Sequence, residues 1–370
     1  MGHRGKIRTV QHGTSCDERH TNRIAHFRSG NLLTVRRYHL EFDSVNSTVI
    51  RSENSSSGAR VAGDPNSKVS GLRNIYVGPA GWSYPDWKSI VYPSPRSRGF
   101  REATFLAKIF DTIEINTSFY YPLKPALVKQ WIGFVSGNPR FLFTAKLWQR
   151  FTHETGATTD DIKRVRQGFD ILHSAHRLGA VLLQFPFSFH NTTENRARLE
   201  RLVEDFRQYP LVVEVRHSTW SQRPFYDFLV EQNIGFCNID QPVIGHSIKP
   251  SERATSPIGY VRLHGRRYDT WFTLDPDSPP SERYNYLYSE QELLPWAERI
   301  ETVAAHTRST FVVTNNHFQG KGIVNALQLI HLLTHDKVHV PDPLREHYPQ
   351  LEAIADRPAE TPTLFPLPPK

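Results

Sequence analysis

The sequence predicts an α/β fold, a (β/α)₈ TIM barrel in a single domain. Eight short apolar segments recur between residues 74 and 316, and amphipathic helical segments follow nearly all of them. Strict alternation of strand and helix indicates a parallel sheet, and eight repeats over about 260 residues favour a closed barrel over an open, doubly wound sheet. No Gly-rich dinucleotide motif or P-loop follows the first strand, so the sequence does not indicate a nucleotide-cofactor fold.

Each predicted strand is a short run of aliphatic, β-branched and aromatic residues. The strands span residues 74–81, 111–119, 141–147, 180–185, 211–216, 234–240, 259–265 and 310–316. In the second of them, Ile113 and Ile115 alternate with Glu114 and Asn116. Because successive side chains of a strand point to opposite faces, this strand presents an apolar face and a polar face.

Helical periodicity separates the strands. The predicted helices span residues 100–110, 126–135, 159–179, 194–209, 223–233, 289–306 and 321–333. In the longest, an apolar stripe indicates burial of one face, with Thr159 as the cap and Gly179 as the stop. Three prolines between residues 241 and 258 predict that no helix follows the sixth strand.

The barrel is expected to cover residues 74–334, with irregular segments on both sides. Residues 1–73 have the Ser-rich, basic composition of a disordered extension, and residues 335–370 form a proline-rich tail predicted to pack loosely. The net charge is +8, but the extension holds roughly a dozen Lys and Arg and about half as many acids, so most of the excess lies there. Nucleic acid is therefore only weakly indicated as a partner. A degenerate mitochondrial transit peptide is the alternative for the extension.

The cysteine content limits the class of protein. Cys16 and Cys237 are the only cysteines, which excludes a disulfide framework and a cysteine-rich zinc site and favours an intracellular, most simply cytoplasmic, location. No apolar run approaches the length that spans a bilayer, so no membrane association is expected. The sequence indicates no cofactor and leaves the oligomeric state open.

Polar residues stand at the C-terminal ends of the predicted strands, where barrels of this kind carry their catalytic groups. Residues two positions apart in a strand lie on the same face, so each strand end can present a pair of side chains to the barrel interior. The predicted catalytic residues are Glu114, Lys146, Glu214, Asp240 and His264. The predicted substrate-binding residues on the same ends are Asn116, Gln184, Arg216, Arg262, Asn315 and Asn316. Adjacent Asn315 and Asn316 cannot both face inward, and the sequence does not choose between them.

The loops after these strand ends are rich in rings. Their predicted substrate-binding members are Trp82, Tyr84, Phe119, Tyr120, His153, His217 and Trp220. Phe119 and Tyr120 are expected in a loop, and residues 266–288 are long enough for a lid. Rings beside polar groups are what sugars and nucleobases stack on. Hydrophobic covers over helix–strand junctions are the alternative for these rings.

These motifs together resemble one family. Read in order, the motifs are GWSYPDW, DTIEINTSFY, FTAK with the later FTH, LLQFP, VVEVRHSTW, NID, YVRLHG and TNN. They are similar to those of the YecE-like family, the domain of unknown function 72. The resemblance covers about residues 74–334 and implies a TIM barrel without an established activity. Phe187 and Thr314 depart from the family pattern, and the extension has no counterpart in it.

The candidate residues favour acid–base or hydrolytic chemistry on a small polar substrate, such as a phosphorylated sugar or a nucleotide-like molecule. Glu214 or Glu114 would be the base and His264 the acid, and Lys146 with the arginines would hold the anion. A glycosidase is an alternative that needs two carboxyl groups with no cation between them. A metal-dependent nuclease or isomerase and a non-catalytic barrel that binds nucleic acid or a partner remain further alternatives.

Overall fold

The predicted barrel is present in the computed structural model, which describes residues 72–269, 271 and 280–356. Its eight strands form one parallel sheet in the order β1-β8-β7-β6-β5-β4-β3-β2. The strands are β1 Ile75–Pro79, β2 Thr112–Ile115, β3 Leu142–Lys146, β4 Leu178–Gln184, β5 Leu211–Glu214, β6 Gly235–Asp240, β7 Ile258–Leu263 and β8 Ser309–Thr314. The fold class is therefore confirmed. The extension falls almost wholly outside the described residues.

The first and second strands close the barrel. Ala80, directly after β1, forms a parallel bridge with Glu114 of β2, and the Gly81 amide donates to the Glu114 carbonyl at 2.9 Å. Glu114 thus joins the two ends of the sheet through its backbone at the C-terminal end of the strands, where its side chain is also buried.

Helices follow the strands nearly as predicted. They are α1 Glu102–Leu106, α2 Thr117–Tyr120, α3 Pro125–Phe134, α4 Gln149–Thr152, α5 Thr159–Ser174, α6 Thr193–Phe206, α7 Arg223–Glu231, α8 Glu290–Ala305, α9 Lys321–Thr334 and α10 Asp342–His347. As expected, the described residues 241–257 between β6 and β7 contain no helix. None of the helices in the described ranges has both the length and the apolar character to cross a membrane.

The longest predicted helix begins at Thr159 as expected, but its capping residue and its C-terminal end were predicted wrongly. Thr158, not Thr159, caps α5: its hydroxyl accepts from the Asp161 amide while the Asp161 carboxylate accepts from the Thr158 amide, a capping box. The helix ends at Ser174, and Gly179 lies in β4 instead of stopping the helix. Thr158 and Thr159 are adjacent candidate caps, and Leu178 and Gly179 continue directly into the apolar residues of β4, so the sequence did not show the cap or the end of the helix.

Two segments predicted to be irregular are helical. Phe119 and Tyr120 lie in the short helix α2. In the C-terminal tail, α10 and the 3-10 turn Pro349–Ala353 pack onto the barrel, with Leu344 and Leu351 fully buried. The tail's leucines supply an apolar face that its proline content masked in the sequence. Residues 357–370 lie outside the described part of the chain.

Rings fill the lower interior of the barrel. Phe311 of β8 stacks on Tyr76 of β1 at 5.1 Å between ring centroids and lies 6.1 Å from the Tyr260 ring of β7. Gly179 leaves room for the Phe311 ring, because a Cβ at that position would lie 2.3 Å from Phe311 Cζ. This apolar floor confines the polar side chains to the upper, C-terminal part of the barrel.

We expect Gly179→Ala to destabilise the protein by about 1–3 kcal/mol, since the added methyl group overpacks the floor against Phe311. Gly137→Ala is the matched control, because a Cβ at Gly137 meets nothing within 4 Å. Urea unfolding of both variants measures the difference. Equal midpoints for the two variants would show that the floor is not tightly packed.

Candidate functional site

Arg262 of β7 is the centre of a buried ionic cluster at the C-terminal ends of the strands. Its Nη2 lies 2.8 Å from Glu114 Oε1 and its Nη1 lies 2.6 Å from Glu214 Oε2. All three side chains are fully buried. Gln184 of β4 adds its Oε1 at 3.3 Å from Nη1. One guanidinium group therefore connects β2, β4, β5 and β7.

Glu214 has the most cationic surroundings of the cluster. The Arg216 Nη2 and Nε donate to Glu214 Oε1 at 2.9 and 3.1 Å, while Arg262 holds the other oxygen. Burial alone would raise the pKa of the Glu214 carboxyl, but the charges of Arg262 and Arg216, together with the hydrogen bond to His264, hold that pKa well below its usual value. Glu214 is therefore an ionised anchor for two arginines.

His264 is neutral in this cluster. Its Nε2 lies 3.3 Å from Glu214 Oε1 and 3.3 Å from Arg262 Nη1, and its Nδ1 lies 3.0 Å from Asn315 Nδ2. Burial lowers the pKa of His264 to about 3. The charge of Glu214 opposes this shift, and the charges of Arg262 and Arg216 add to it. The ring is therefore held between Glu214, Arg262 and Asn315.

Lys146 of β3 lies at the accessible edge of the cluster. Its Nζ is 3.6 Å from Glu114 Oε1 and 5.5 Å from the centroid of the Phe119 ring, and 11% of its side chain is exposed. Burial and then the charge of Arg262 lower the pKa of the Lys146 amine to about 8. Arg216, with 14% of its side chain exposed, is the other accessible cation, and its guanidinium lies 5.7 Å from the Trp271 ring.

Tyr260 belongs to the cluster although the sequence analysis did not select it. Its hydroxyl donates to Glu114 Oε2 at 3.0 Å and lies 2.9 Å from Thr144 Oγ1. Tyr260 stands two residues before Arg262, which stands two before His264, so the same alternation that selected those two residues also contains Tyr260.

Asp240 does not join the cluster, contrary to the predicted position. Its carboxylate accepts from Arg266 Nε at 2.9 Å and Nη2 at 3.1 Å. The inward residues of β6 have the other parity, as Cys237 Sγ, 3.8 Å from Glu214 Oε2, demonstrates. Every residue of β6 is buried, so the sequence offered no apolar-versus-polar contrast that distinguishes the two faces.

Asn315 and Asn316 separate in the structure. Asn315 contacts His264 in the cluster. Asn316 Nδ2 donates instead to Asn325 Oδ1 of α9 at 2.7 Å and to the Tyr286 carbonyl at 2.8 Å. Asn315 is thus the residue that faces the site, and Asn316 holds α9 against the barrel.

Some of the predicted loop residues border the cluster. The His153 ring lies 5.0 Å from the Phe119 ring, and burial followed by the charge of Arg216 lowers the pKa of His153 to about 4. Asn116 Nδ2 donates to the Tyr84 hydroxyl at 3.0 Å. These side chains line the rim on the β1–β3 side. Tyr120 packs on Phe119 at 5.2 Å and is 54% exposed.

Three predicted loop residues have other partners. Trp82 packs on Trp131 of α3 at 5.1 Å. Trp220 is buried, and its Nε1 donates to the Phe189 carbonyl at 2.7 Å. His217 caps a 3-10 turn by accepting from the Thr219 amide. The composition of these loops gave no means of separating such cover residues from rim residues.

His317 is a rim residue that the sequence analysis missed. Its ring stacks on Tyr84 at 4.3 Å with an interplanar angle of 9°. Burial lowers the pKa of His317 to about 4. It stands two residues after Asn315, and this spacing was the available signal.

The carboxylates of the cluster already have cationic partners. Among the residues described, no three His, Cys, Asp or Glu side chains are arranged to hold a metal ion. What the arrangement offers is a positively charged, ring-bordered edge made of Lys146 and Arg216, backed by two buried glutamates.

The fold and this cluster define a TIM-barrel protein with ionic side chains gathered at the C-terminal face, the position of the active sites of barrel enzymes. Residues 76–350 match the family model described as "Protein of unknown function DUF72". The chain belongs to this family, which confirms the resemblance noted in its motifs.

A curated relative and two solved structures support the assignment. The UPF0759 protein YunF of Bacillus subtilis (strain 168) is 31% identical over 278 residues, which cover 70% of this chain and 94% of YunF. A DUF72 family crystal structure from Thermotoga maritima MSB8 has 31% identity and a TM-score of 0.61, covering 70% of this chain and 99% of that one. Another, from Enterococcus faecalis V583, has 22% identity and a TM-score of 0.62, covering 70% and 95%, and is similar in fold.

Arg262→Met is expected to destabilise the protein by about 3–5 kcal/mol, because it leaves the carboxylates of Glu114 and Glu214 buried without their shared partner. In the control Arg223→Met, an arginine with 91% of its side chain exposed is removed, and the change should stay within about 0.5 kcal/mol. Denaturant unfolding compares the two. A stable Arg262→Met variant would mean that the glutamates find other partners.

The free energy of unfolding should fall as the pH falls from 6.5 toward 3. Over this range the unfolded chain binds a proton at His264 that the folded protein does not, with a slope of up to about 1.4 kcal/mol per pH unit from this residue. His264→Asn should reduce the slope, and the exposed His347→Asn should not. Urea unfolding at a series of pH values measures it, and an unchanged slope in His264→Asn would contradict a neutral His264.

Proposed function

We propose that this protein is an enzyme that performs acid–base chemistry on a small anionic substrate at the C-terminal face of the barrel. The observation that carries the proposal is Lys146, a partly exposed amine with its pKa lowered to about 8, beside a buried carboxylate and a second accessible cation. A proton-transfer group is most effective when its pKa lies near the working pH. Perturbed groups of this kind concentrate at functional sites.

The roles proposed here differ from those expected from the sequence. Glu214 is a poor base, because its pKa is held well below the usual range and its oxygens are occupied by arginines. His264 is a poor acid near neutral pH, because its pKa is about 3. Lys146 therefore transfers the proton, and Arg216 binds the anionic group of the substrate, such as a phosphate. Glu114 and Arg262 orient and polarise Lys146.

The glycosidase alternative is disfavoured by the position of Arg262. A glycosidase needs two carboxyl groups that can act directly on a sugar. Here the guanidinium group lies between Glu114 and Glu214, contacts both, and is fully buried with them. A divalent cation at these glutamates would meet the charges of Arg262, Lys146 and Arg216, which disfavours a metal-dependent reaction there.

A non-catalytic barrel that binds nucleic acid remains the competing function. It would depend on the basic extension, and no feature of the described residues favours it. A panel of phosphate monoesters, nucleotides and nucleic acids, assayed for turnover and for binding, separates the two functions. Binding of nucleic acid that is strongly salt-dependent and unaffected by changes at Lys146 would support the competitor.

With a substrate from this panel, kcat/KM should rise with pH and level off above about pH 8, because the neutral amine of Lys146 is the base. Lys146→Gln should lower kcat/KM by about 10²–10⁴-fold and remove the rise. Lys163→Gln is the matched control, because Lys163 is an exposed lysine on α5. An unchanged pH profile in Lys146→Gln would rule out Lys146 as the base.

A further inference from the structure

We propose that the substrate is an anionic aldehyde or ketone and that Lys146 Nζ forms an imine with its carbonyl carbon. This inference rests on the proposed function and narrows it to one substrate class and one covalent step. It draws on the position of the amine, on its neighbours and on the absence of another suitable nucleophile among the cluster side chains described above.

The position of the amine suits attack on a carbonyl group. Lys146 is the last residue of β3, and its side chain reaches the cluster at the level of Glu114, 3.6 Å from Oε1. It remains 11% exposed, whereas Glu114, Glu214 and Arg262 are fully buried. A molecule entering at the C-terminal face therefore meets Lys146 before it meets the carboxylates.

The neighbours of Lys146 favour the neutral, nucleophilic form of the amine. Arg262 repels a second positive charge, and the Phe119 ring at 5.5 Å covers the amine on one side. With a pKa of about 8, roughly a tenth of the amine is neutral at pH 7, against less than about 0.1% for an ordinary lysine. Desolvated lysines next to other cations are the type that forms Schiff bases.

The step balances without an oxidant or a reductant. The lone pair of neutral Nζ attacks the carbonyl carbon and forms a C–N bond, and the carbonyl oxygen becomes the hydroxyl of a carbinolamine. One proton passes from the nitrogen to this oxygen, with Glu114 the nearest carboxylate to relay it. Solvent water protonates the hydroxyl, the C–O bond breaks and water leaves, while the nitrogen lone pair forms the C=N bond of a protonated imine. Loss of the remaining N–H proton to solvent gives the neutral imine.

Arg216 is the residue that would bind the anionic group of the substrate. Its guanidinium is 14% exposed and is held by Glu214, so it presents its free edge in a fixed orientation. A phosphate or carboxylate on the substrate would pair with this edge. The cluster's other nucleophile, Cys237, is fully buried, and burial raises its pKa well above the usual value, so it does not compete.

Borohydride trapping tests the proposal on the full chain. The protein is incubated at pH 8 with glyceraldehyde 3-phosphate, dihydroxyacetone phosphate or pyruvate, reduced with sodium borohydride, and analysed by intact mass and peptide mapping. We expect one adduct per chain, with the mass of the probe less one oxygen atom, on the peptide that contains Lys146. Its yield should exceed that on Lys163 by at least about tenfold, in line with the lowered pKa of Lys146.

Two variants accompany the trapping experiment. Lys146→Arg keeps a positive charge beside Glu114 and should lose the adduct, whereas Lys163→Arg should keep it. Circular dichroism shows whether each variant is folded. The peptide map of the unmodified sequence decides the question even if Lys146→Arg fails to fold.

The results that overturn the imine differ from those that overturn the proposed function. No adduct with any of the three probes, or adducts spread evenly over exposed lysines, overturns the imine. If Lys146-dependent turnover of a phosphate monoester persists in that case, the proposed acid–base function stands. If turnover and the pH dependence assigned to Lys146 are both missing, the proposed function falls as well.

Discussion

The burial of Arg262 between Glu114 and Glu214 is the constraint on which the upper half of this barrel depends. A guanidinium group without solvent is costly unless its charge and its donors are matched, and here two carboxylates and an amide match most of them. Those partners come from β2, β4 and β5, far from β7 in the sequence. The cluster can form only when the barrel closes, and closure passes through the backbone of Glu114 itself.

The same constraint divides the interior into two zones. Below the cluster, Phe311, Tyr76 and Gly179 form a tightly packed apolar floor. Above it, each buried charge has an oppositely charged partner. Arginines hold the pKa of Glu214 low, so that Glu214 is an anion, and burial lowers the pKa of His264, so that its ring is neutral. The groups left near the surface, Lys146 and Arg216, are those to which the proposed reactivity is assigned, because the buried groups are engaged with one another.

The sequence predicted the residues of the candidate site wherever a charged residue lay in a strand whose apolar and polar side chains alternate. Glu114, Lys146, Glu214, Arg262 and His264 were all found in this way, and they do meet. Asp240 was misplaced because both faces of β6 are buried, one by the interior and one by the outer layer. Tyr260 was missed because a tyrosine within an apolar run is typical of the core and draws attention only through its spacing from Arg262.

The sequence by itself determined the barrel, its eight strands and the family. The strand and helix periodicities and the ordered motifs that indicate them are local properties of the chain. Only the tertiary structure decided which of Asn315 and Asn316 faces the site, which rings border it and which cover helices, and which charges pair. Those outcomes depend on strand register and on burial among residues that are distant in the sequence, such as Arg262 and Glu114, which are 148 positions apart. Local spacing does not encode such distances, and they set the pKa values on which the proposed chemistry rests.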